Sequence, residues 1–161
     1  MKNALIQRLQ SQPAALDTLL FGFTEEETKA IPMPDKWSIF ENVVHLARYH
    51  EVFIERIALI ATGANPIFQR YRADDDPGFF EWQKKSLAQV LVDFNKDREE
   101  INTMLAAIPA DKLKHTALHP FFGLMNIEGW TELFLLHEAH HFFTMVRLGA
   151  LVQPDRVMGI S

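Results

Sequence analysis

The chain of 161 residues contains no cysteine, and this absence removes several kinds of chemistry. Without a thiol there is no disulfide, no cysteine nucleophile and no thiolate ligand for a metal. Histidine and carboxylate side chains are the groups left to bind a transition metal. Any chemistry that needs a sulfur nucleophile must take it from a second substrate.

Excess basic charge and long apolar runs are also missing. Lysine and arginine number 16 against 21 aspartates and glutamates, a formal net charge of -5, so no nucleic-acid-binding surface is expected. No run of about 18 apolar residues is available to cross a membrane, and the first residues lack the apolar core of a signal peptide. We therefore expect a cytoplasmic protein without a membrane or nucleic-acid partner, folded as a single domain over residues 1–161.

The sequence is rich in apolar residues at helical spacing, which occur in four long segments. Pro13 interrupts the first segment and predicts a break in its helix. Ser38 and Glu41 have the spacing of a capping box at the start of the second. The third helix is predicted over about 79–108, and Asn126 is placed to cap the fourth. No strand of useful length is predicted, so the expected fold class is all-α, a four-helix bundle.

The string His137-Glu138-Ala139-His140-His141 carries the most chemical information. His137 and His141 are four residues apart and share one face of a helix, so both imidazoles can reach one metal ion. The same face is apolar, and the alternative is a pair of hydrogen-bonded core histidines. His45, in the second helix, is the candidate third ligand. Three imidazoles would leave a coordination position free, as in catalytic zinc sites.

The same string also matches the H-E-x-x-H signature of zinc proteases, in which Glu138 would act as the general base. The metzincin continuation, a glycine and a third histidine, is absent from residues 142–148. No strand is predicted to line a peptide cleft. A metalloprotease is therefore the weaker interpretation of this motif.

Three motifs in register, together with the internal proline of the first helix and Arg98 in the third, resemble the DinB/YfiT-like superfamily of metalloenzymes. The resemblance extends over nearly the whole chain. Its motifs are Trp37-Ser38-Ile39-Phe40-Glu41-Asn42-Val43-Val44-His45-Leu46, His119-Pro120-Phe121-Phe122-Gly123-Leu124-Met125 and His137-Glu138-Ala139-His140-His141.

The resemblance implies a four-helix bundle with up-down-down-up topology, often dimeric, that holds one divalent metal on His45, His137 and His141. Zinc or nickel suits three imidazoles best. The implied activities are those of a thiol-dependent S-transferase, with a low-molecular-weight thiol as cosubstrate, or of a hydrolase acting on a small molecule. The rival hypothesis is a non-catalytic bundle that the metal stabilises and that serves in interaction or sensing.

Three further residues are candidates for the surroundings of the metal or for substrate binding. Glu41 either completes its capping box or orients the ring of His45. Arg98 interrupts an apolar stripe, and it either forms a salt bridge with a neighbouring helix or anchors an anionic substrate group. His119 precedes a proline, and it either borders the pocket or braces its loop. Glu138 is expected at the solvent or at the pocket edge.

Overall fold

The computed structural model describes residues 1–155, which form a helical bundle with one small hairpin. The first member of the bundle is a helix broken in two, and the other three members are long single helices. The helices are α1 (Asn3–Ser11), α2 (Ala14–Leu20), α3 (Glu25–Lys29), α4 (Ile39–Ala61), α5 (Pro77–Trp82), α6 (Leu87–Ala107) and α7 (Ile127–Val152).

Local signals in the sequence set several of these helix boundaries. The break between α1 and α2 lies at Pro13. The Ser38 hydroxyl accepts the amide of Glu41 at 3.1 Å, while the carboxylate of Glu41 accepts the Ser38 amide at 2.7 Å, which is a complete capping box. α4 is followed by Gly63, whose φ of +84° favours glycine. The side chain of Asn126 caps α7.

Helix α4 occupies the centre of the bundle. It packs against α6 on one side and α7 on another, while α1 and α2 pack on α7. Two apolar clusters fill the interior, one toward each end of the long helices. The first includes Val43, Val90, Phe94, Phe142 and Met145, and the second includes Phe53, Ile57, Ile101, Trp130 and Phe134.

Two predictions about secondary structure were wrong. The helix expected over 79–108 is interrupted, because Ser86 accepts the amide of Gln89 and starts α6 afresh after a turn. A strand pair, β1 (Thr116–His119) and β2 (Gly123–Asn126), forms an antiparallel hairpin, although no strand is predicted from the sequence. Each strand has only four residues, too few for an alternation pattern to be recognised.

The element order agrees with the expected helical bundle, whereas the up-down-down-up order stays a prediction. Within residues 1–155 no helix combines the length and the apolar character needed to cross a bilayer. The hairpin lies against the start of α7. Its position brings residues 116–126 close to the site described next.

Candidate metal centre

The three predicted histidines come together between α4 and α7. The Nε2 atoms of His45 and His137 are 3.0 Å apart, and the ring centres of His45 and His141 are 4.5 Å apart. One ligand atom from each of the three rings lies within 4.8 Å of the others. Two nitrogen ligands of a tetrahedral ion, each at about 2.0–2.1 Å, are about 3.3 Å apart. The donor set therefore fits one transition-metal ion.

The three imidazoles are neutral at neutral pH. Burial, reinforced by the adjacent rings, lowers the pKa of His45, His137 and His141 to about 3. The neutral ring is the form that binds a metal, so the protein holds these ligands in the competent protonation state. The lowered pKa values result mainly from burial and from the neighbouring histidines.

Asn42 fixes the orientation of His141, a role that the sequence analysis missed. His141 donates from Nδ1 to the Asn42 amide oxygen at 2.8 Å, which leaves Nε2 free for a metal. The Asn42 amide group in turn donates to the carbonyl of Ser38 at 2.8 Å, so its own orientation is fixed. Asn42 is 2% exposed. Asn42 lies three residues before His45, on the same side of α4, and this spacing could have indicated that it lies near the triad.

His45 and His137 differ from an ordinary core histidine. The buried Nδ1 atoms of both rings have no hydrogen-bond partner among residues 1–155. His50, on the same helix as His45, is by contrast held at both nitrogens, by the Phe94 carbonyl at 3.2 Å and by Arg98 at 3.1 Å. The alternative of core histidines held at both ring nitrogens therefore describes His50 and neither His45 nor His137.

The triad lies at a cavity of about 640 Å³. Trp37 packs beside it, with ring centres 5.0 Å from His45 and 6.1 Å from His141. The hairpin and the connection after α4 form the rest of the wall and carry several cationic and aromatic side chains. The lining includes Tyr49, Arg56, Arg70, Tyr71, Arg72, Asp74, His119, Phe121, Phe122 and His140.

Glu138 does not lie where a general base for the triad would lie, and the expectation that it faces solvent or the pocket edge was wrong. The side chain is 1% exposed and forms an ion pair with Arg98. Gln12 donates to its second oxygen at 2.7 Å. Adjacent residues of a helix point about 100° apart, so a cavity that receives His137 need not receive its neighbour. Glu138 is turned into the bundle.

Arg98 forms a salt bridge with a neighbouring helix, the first of the two roles predicted for it. It is 2% exposed, pairs with Glu138 of α7 and donates to the carbonyl of Leu9 at 3.1 Å. It does not line the cavity. Because Arg98 is absent from the cavity lining, its predicted role as an anion anchor is not supported.

Glu41 and His119 also have defined places. The carboxylate of Glu41 accepts from Ser38 and, at 3.2 Å, from Gln83, and it forms no hydrogen bond with His45. The capping role is thus the one that the structure shows. His119 lines the cavity, and its Nδ1 accepts the amides of Phe121 and Phe122 at 3.1 and 3.2 Å. It both borders the pocket and braces the hairpin turn.

Comparison with known proteins places the chain in a family. The sequence model of the DinB superfamily matches residues 8–145. Among solved structures, YfiT from Bacillus subtilis, described as a probable metal-dependent hydrolase with an unusual four-helix bundle topology, shares 20% identity. The similarity covers 91% of this chain and 85% of YfiT, with a TM-score of 0.75.

A second solved structure, TT2238, is described as a four-helix bundle protein. It is 21% identical, and the match covers 89% of this chain and 96% of that one, with a TM-score of 0.66. Comparison with curated proteins gave no match. At these identities the solved structures establish the fold, whereas the family model extends over most of the sequence. The chain belongs to the DinB superfamily.

Proposed function

We propose that this protein is a metal-dependent enzyme that holds one divalent transition metal, zinc or nickel, on His45, His137 and His141. Its substrate is a small molecule, and its reaction is a thiol-dependent S-transfer or a hydrolysis. The observation that carries the proposal is the convergence of three neutral imidazoles at a cavity of about 640 Å³. Cavities of this size accommodate small-molecule ligands.

The number of ligands supports a catalytic rather than a structural metal. Among residues 1–155, the group of possible ligands at this place contains three histidines and no carboxylate. Structural zinc sites use four protein ligands, whereas catalytic sites use three. When bound, a divalent cation acts as a Lewis acid that lowers the pKa of a water molecule or a thiol.

The residues around the triad have roles that follow from their contacts. Asn42 holds His141 with Nε2 directed to the shared position. Tyr49 lies 4.5 Å from the His137 ring, and burial raises the pKa of its phenol, so it stays protonated and can donate a hydrogen bond to a substrate. Trp37 lines the cavity and packs beside the rings of His45 and His141.

The contacts of Glu138 weigh against the metalloprotease interpretation. That mechanism requires the glutamate of H-E-x-x-H as a general base at the metal. Here the carboxylate is paired with Arg98 and Gln12, away from the cavity lining. The similarity to YfiT, described as a probable metal-dependent hydrolase, supports metal-dependent chemistry in a protein of this fold.

Metal content tests the site directly. Elemental analysis of the purified protein should find about one divalent metal per chain, since the three rings form one site. His137→Ala should lose the metal, and His140→Ala, which removes an exposed histidine from the same string, should keep it. Full occupancy in the His137→Ala variant would contradict the proposal.

Activity assays distinguish the two reactions from the non-catalytic alternative. The metal-loaded protein is incubated with glutathione and 1-chloro-2,4-dinitrobenzene, and separately with 4-nitrophenyl acetate. Turnover in the first assay alone indicates S-transfer, and turnover in the second alone indicates hydrolysis. Inactivity in both, with four protein ligands around the metal by X-ray absorption, would favour a metal-stabilised interaction module. The predicted homodimer is measured separately by analytical ultracentrifugation.

A further inference from the structure

We propose that Arg56 is a substrate-binding residue that holds a carboxylate of the substrate in the cavity above the histidine triad. The inference rests on the proposed function, and it names the chemical class of ligand that the site takes. Arg98, the arginine first considered for such a role, is buried and neutralised by Glu138. Arg56 lines the cavity together with His45, His137 and His141.

The position of Arg56 follows from the helix that carries the triad. His45, Tyr49 and Arg56 recur along one face of α4, at intervals of four and seven residues, so all three meet the same cavity. The Arg56 guanidinium carbon lies 6.0 Å from the Tyr49 ring centre, which lies 4.5 Å from that of His137. Together these distances limit its separation from the His137 ring to about 10.5 Å at most. One small molecule can therefore contact both the Arg56 guanidinium and the His137 ring.

The guanidinium is held in place without being neutralised. It donates to the Gln69 carbonyl at 2.9 Å and to the Tyr49 hydroxyl at 3.4 Å. It packs near the rings of Phe68 and Trp130, at 5.1 and 5.7 Å. Among residues 1–155 no carboxylate forms an ion pair with it. Since a guanidinium has five N–H donors, donors remain for a ligand.

The other charged groups of the cavity leave an excess of positive charge. Arg72 is paired with Asp75 at 3.1 Å. Arg70 is exposed and lies near the ring of Phe121, and Asp74 is an exposed carboxylate in the lining. A planar, preorganised guanidinium matches the two oxygens of a carboxylate. Its single positive charge balances the single negative charge of that group, which favours a carboxylate as the occupant.

A matched pair of thiols tests the inference. The protein is loaded with Co²⁺, and the thiolate-to-cobalt charge-transfer absorbance is titrated with 6-mercaptohexanoate and with 6-mercaptohexanol, which differ at the far end of the chain. We expect the carboxylate to bind about tenfold more tightly, the effect of roughly 1.4 kcal/mol from a charge-assisted hydrogen bond. The preference should fall as ionic strength rises.

Variants separate binding from support of the fold. In Arg56→Gln the two thiols should bind with about equal affinity, while the affinity for 6-mercaptohexanol stays unchanged. Arg8→Gln, which removes an arginine paired with Glu132 outside the cavity, should keep the preference. If Arg56→Gln does not fold, Arg56→Lys, which keeps the charge but loses the planar pair of donors, should show a reduced preference for 6-mercaptohexanoate.

The outcomes distinguish this inference from the proposed function. Equal affinities for the two thiols in the unmodified protein, or an undiminished preference in Arg56→Gln, would overturn the carboxylate site and leave the metal site intact. Failure to bind Co²⁺, measured independently by its d–d absorbance, would overturn the proposed function itself. Weakened binding of both thiols by an equal factor in Arg56→Gln would assign Arg56 to the fold and also overturn the inference.

Discussion

Two polar clusters lie side by side in the middle of this bundle, and they differ in the partners that their buried polar atoms have. The ion-pair cluster consists of Gln12, His50, Arg98 and Glu138, and the triad consists of His45, His137 and His141. Both lie between the two apolar clusters of the core. The ion-pair cluster balances its charge within the protein, whereas two rings of the triad, those of His45 and His137, have a buried Nδ1 atom without a partner among the described residues.

Each member of the ion-pair cluster has a protein partner. Arg98 and Glu138 balance each other's charge, and Gln12 donates to the carboxylate. Burial lowers the pKa of His50 to about 4, and the neutral ring donates to Phe94 and accepts from Arg98. The cluster thereby joins α1, α4, α6 and α7. In the triad the Nδ1 atoms of two rings have no such partner among the described residues. The ion-pair cluster holds four elements of the fold together, whereas the triad places one ligand atom of each ring within 4.8 Å of the others.

The largest effect on stability is expected when the ion-pair cluster is broken. Glu138→Ala leaves the Arg98 charge buried and unpaired, and the free energy of unfolding should fall by about 3–5 kcal/mol. The matched control is Glu132→Ala, which breaks the half-exposed pair with Arg8 and should cost no more than about 1 kcal/mol. Urea denaturation of the two variants measures both values.

The metal content of the same variant distinguishes the role of the ion-pair cluster from that of the triad. Metal content of folded Glu138→Ala should equal that of the unmodified protein, because the carboxylate is not a ligand. Replacing both partners, with Arg98→Met and Glu138→Leu together, should recover most of the lost stability, since two apolar side chains need no charge balance. Equal, small losses in Glu138→Ala and Glu132→Ala would contradict the assignment of a buried ion pair.

The second prediction concerns acid stability of the metal-free protein. The pKa values of the triad histidines are lowered to about 3, and that of His50 to about 4, from a usual value of 6.5. Between these limits the unfolded chain binds more protons than the folded one, so the free energy of unfolding falls as pH drops from 7 toward 4. Asp97 acts in the opposite direction, because burial raises its pKa to about 6. The four lowered histidine pKa values together change the free energy of unfolding more than the one raised pKa of Asp97 does.

Urea denaturation at pH 7 and pH 5, after chelator treatment, measures this slope. The double variant His137→Ala with His141→Ala removes two of the buried neutral rings and should show a shallower dependence on pH. A free energy of unfolding that is constant over the range would mean that the triad rings take up protons in the folded protein. The triad would then lack the desolvated character argued above.

The third prediction addresses the support of the triad. Asn42→Ala removes the acceptor for His141 Nδ1, and metal affinity should fall by about 10- to 100-fold, as for other residues that orient a ligand. Asn42→Asp retains an acceptor and should restore most of the affinity. Competition with a chromophoric chelator gives both values. Unchanged affinity in Asn42→Ala would show that the hydrogen bond does not position the ring.

The features that could be predicted from the sequence are those with a local cause. The capping box at Ser38, the break at Pro13 and the cap at Asn126 each depend on residues within one helical turn. The pair His137 and His141 follows from helical spacing. Its meeting with His45 required the resemblance to a known family, because no local rule joins residues 92 positions apart.

The features that were missed depend on packing between distant segments. The side of α7 that meets the cavity is set by the neighbouring helices, so the string His137-Glu138 alone could not show that its two members face different surroundings. The partnership of Asn42 with His141 spans 99 positions. Arg56 was missed for the same reason, because the loop after α4 and the hairpin form the cavity around it.

The smallest effect is expected at Glu41, which tests whether neighbours in the sequence share a role. Glu41→Ala removes half of the capping box and should lower the free energy of unfolding by about 1 kcal/mol. Metal affinity should stay unchanged, because the carboxylate contacts Ser38 and Gln83 and not His45. Asn42→Ala, one residue away, should lose affinity. If Glu41→Ala weakened metal binding to the same extent, the capping turn as a whole would position the triad, and the specific role given to Asn42 would be wrong.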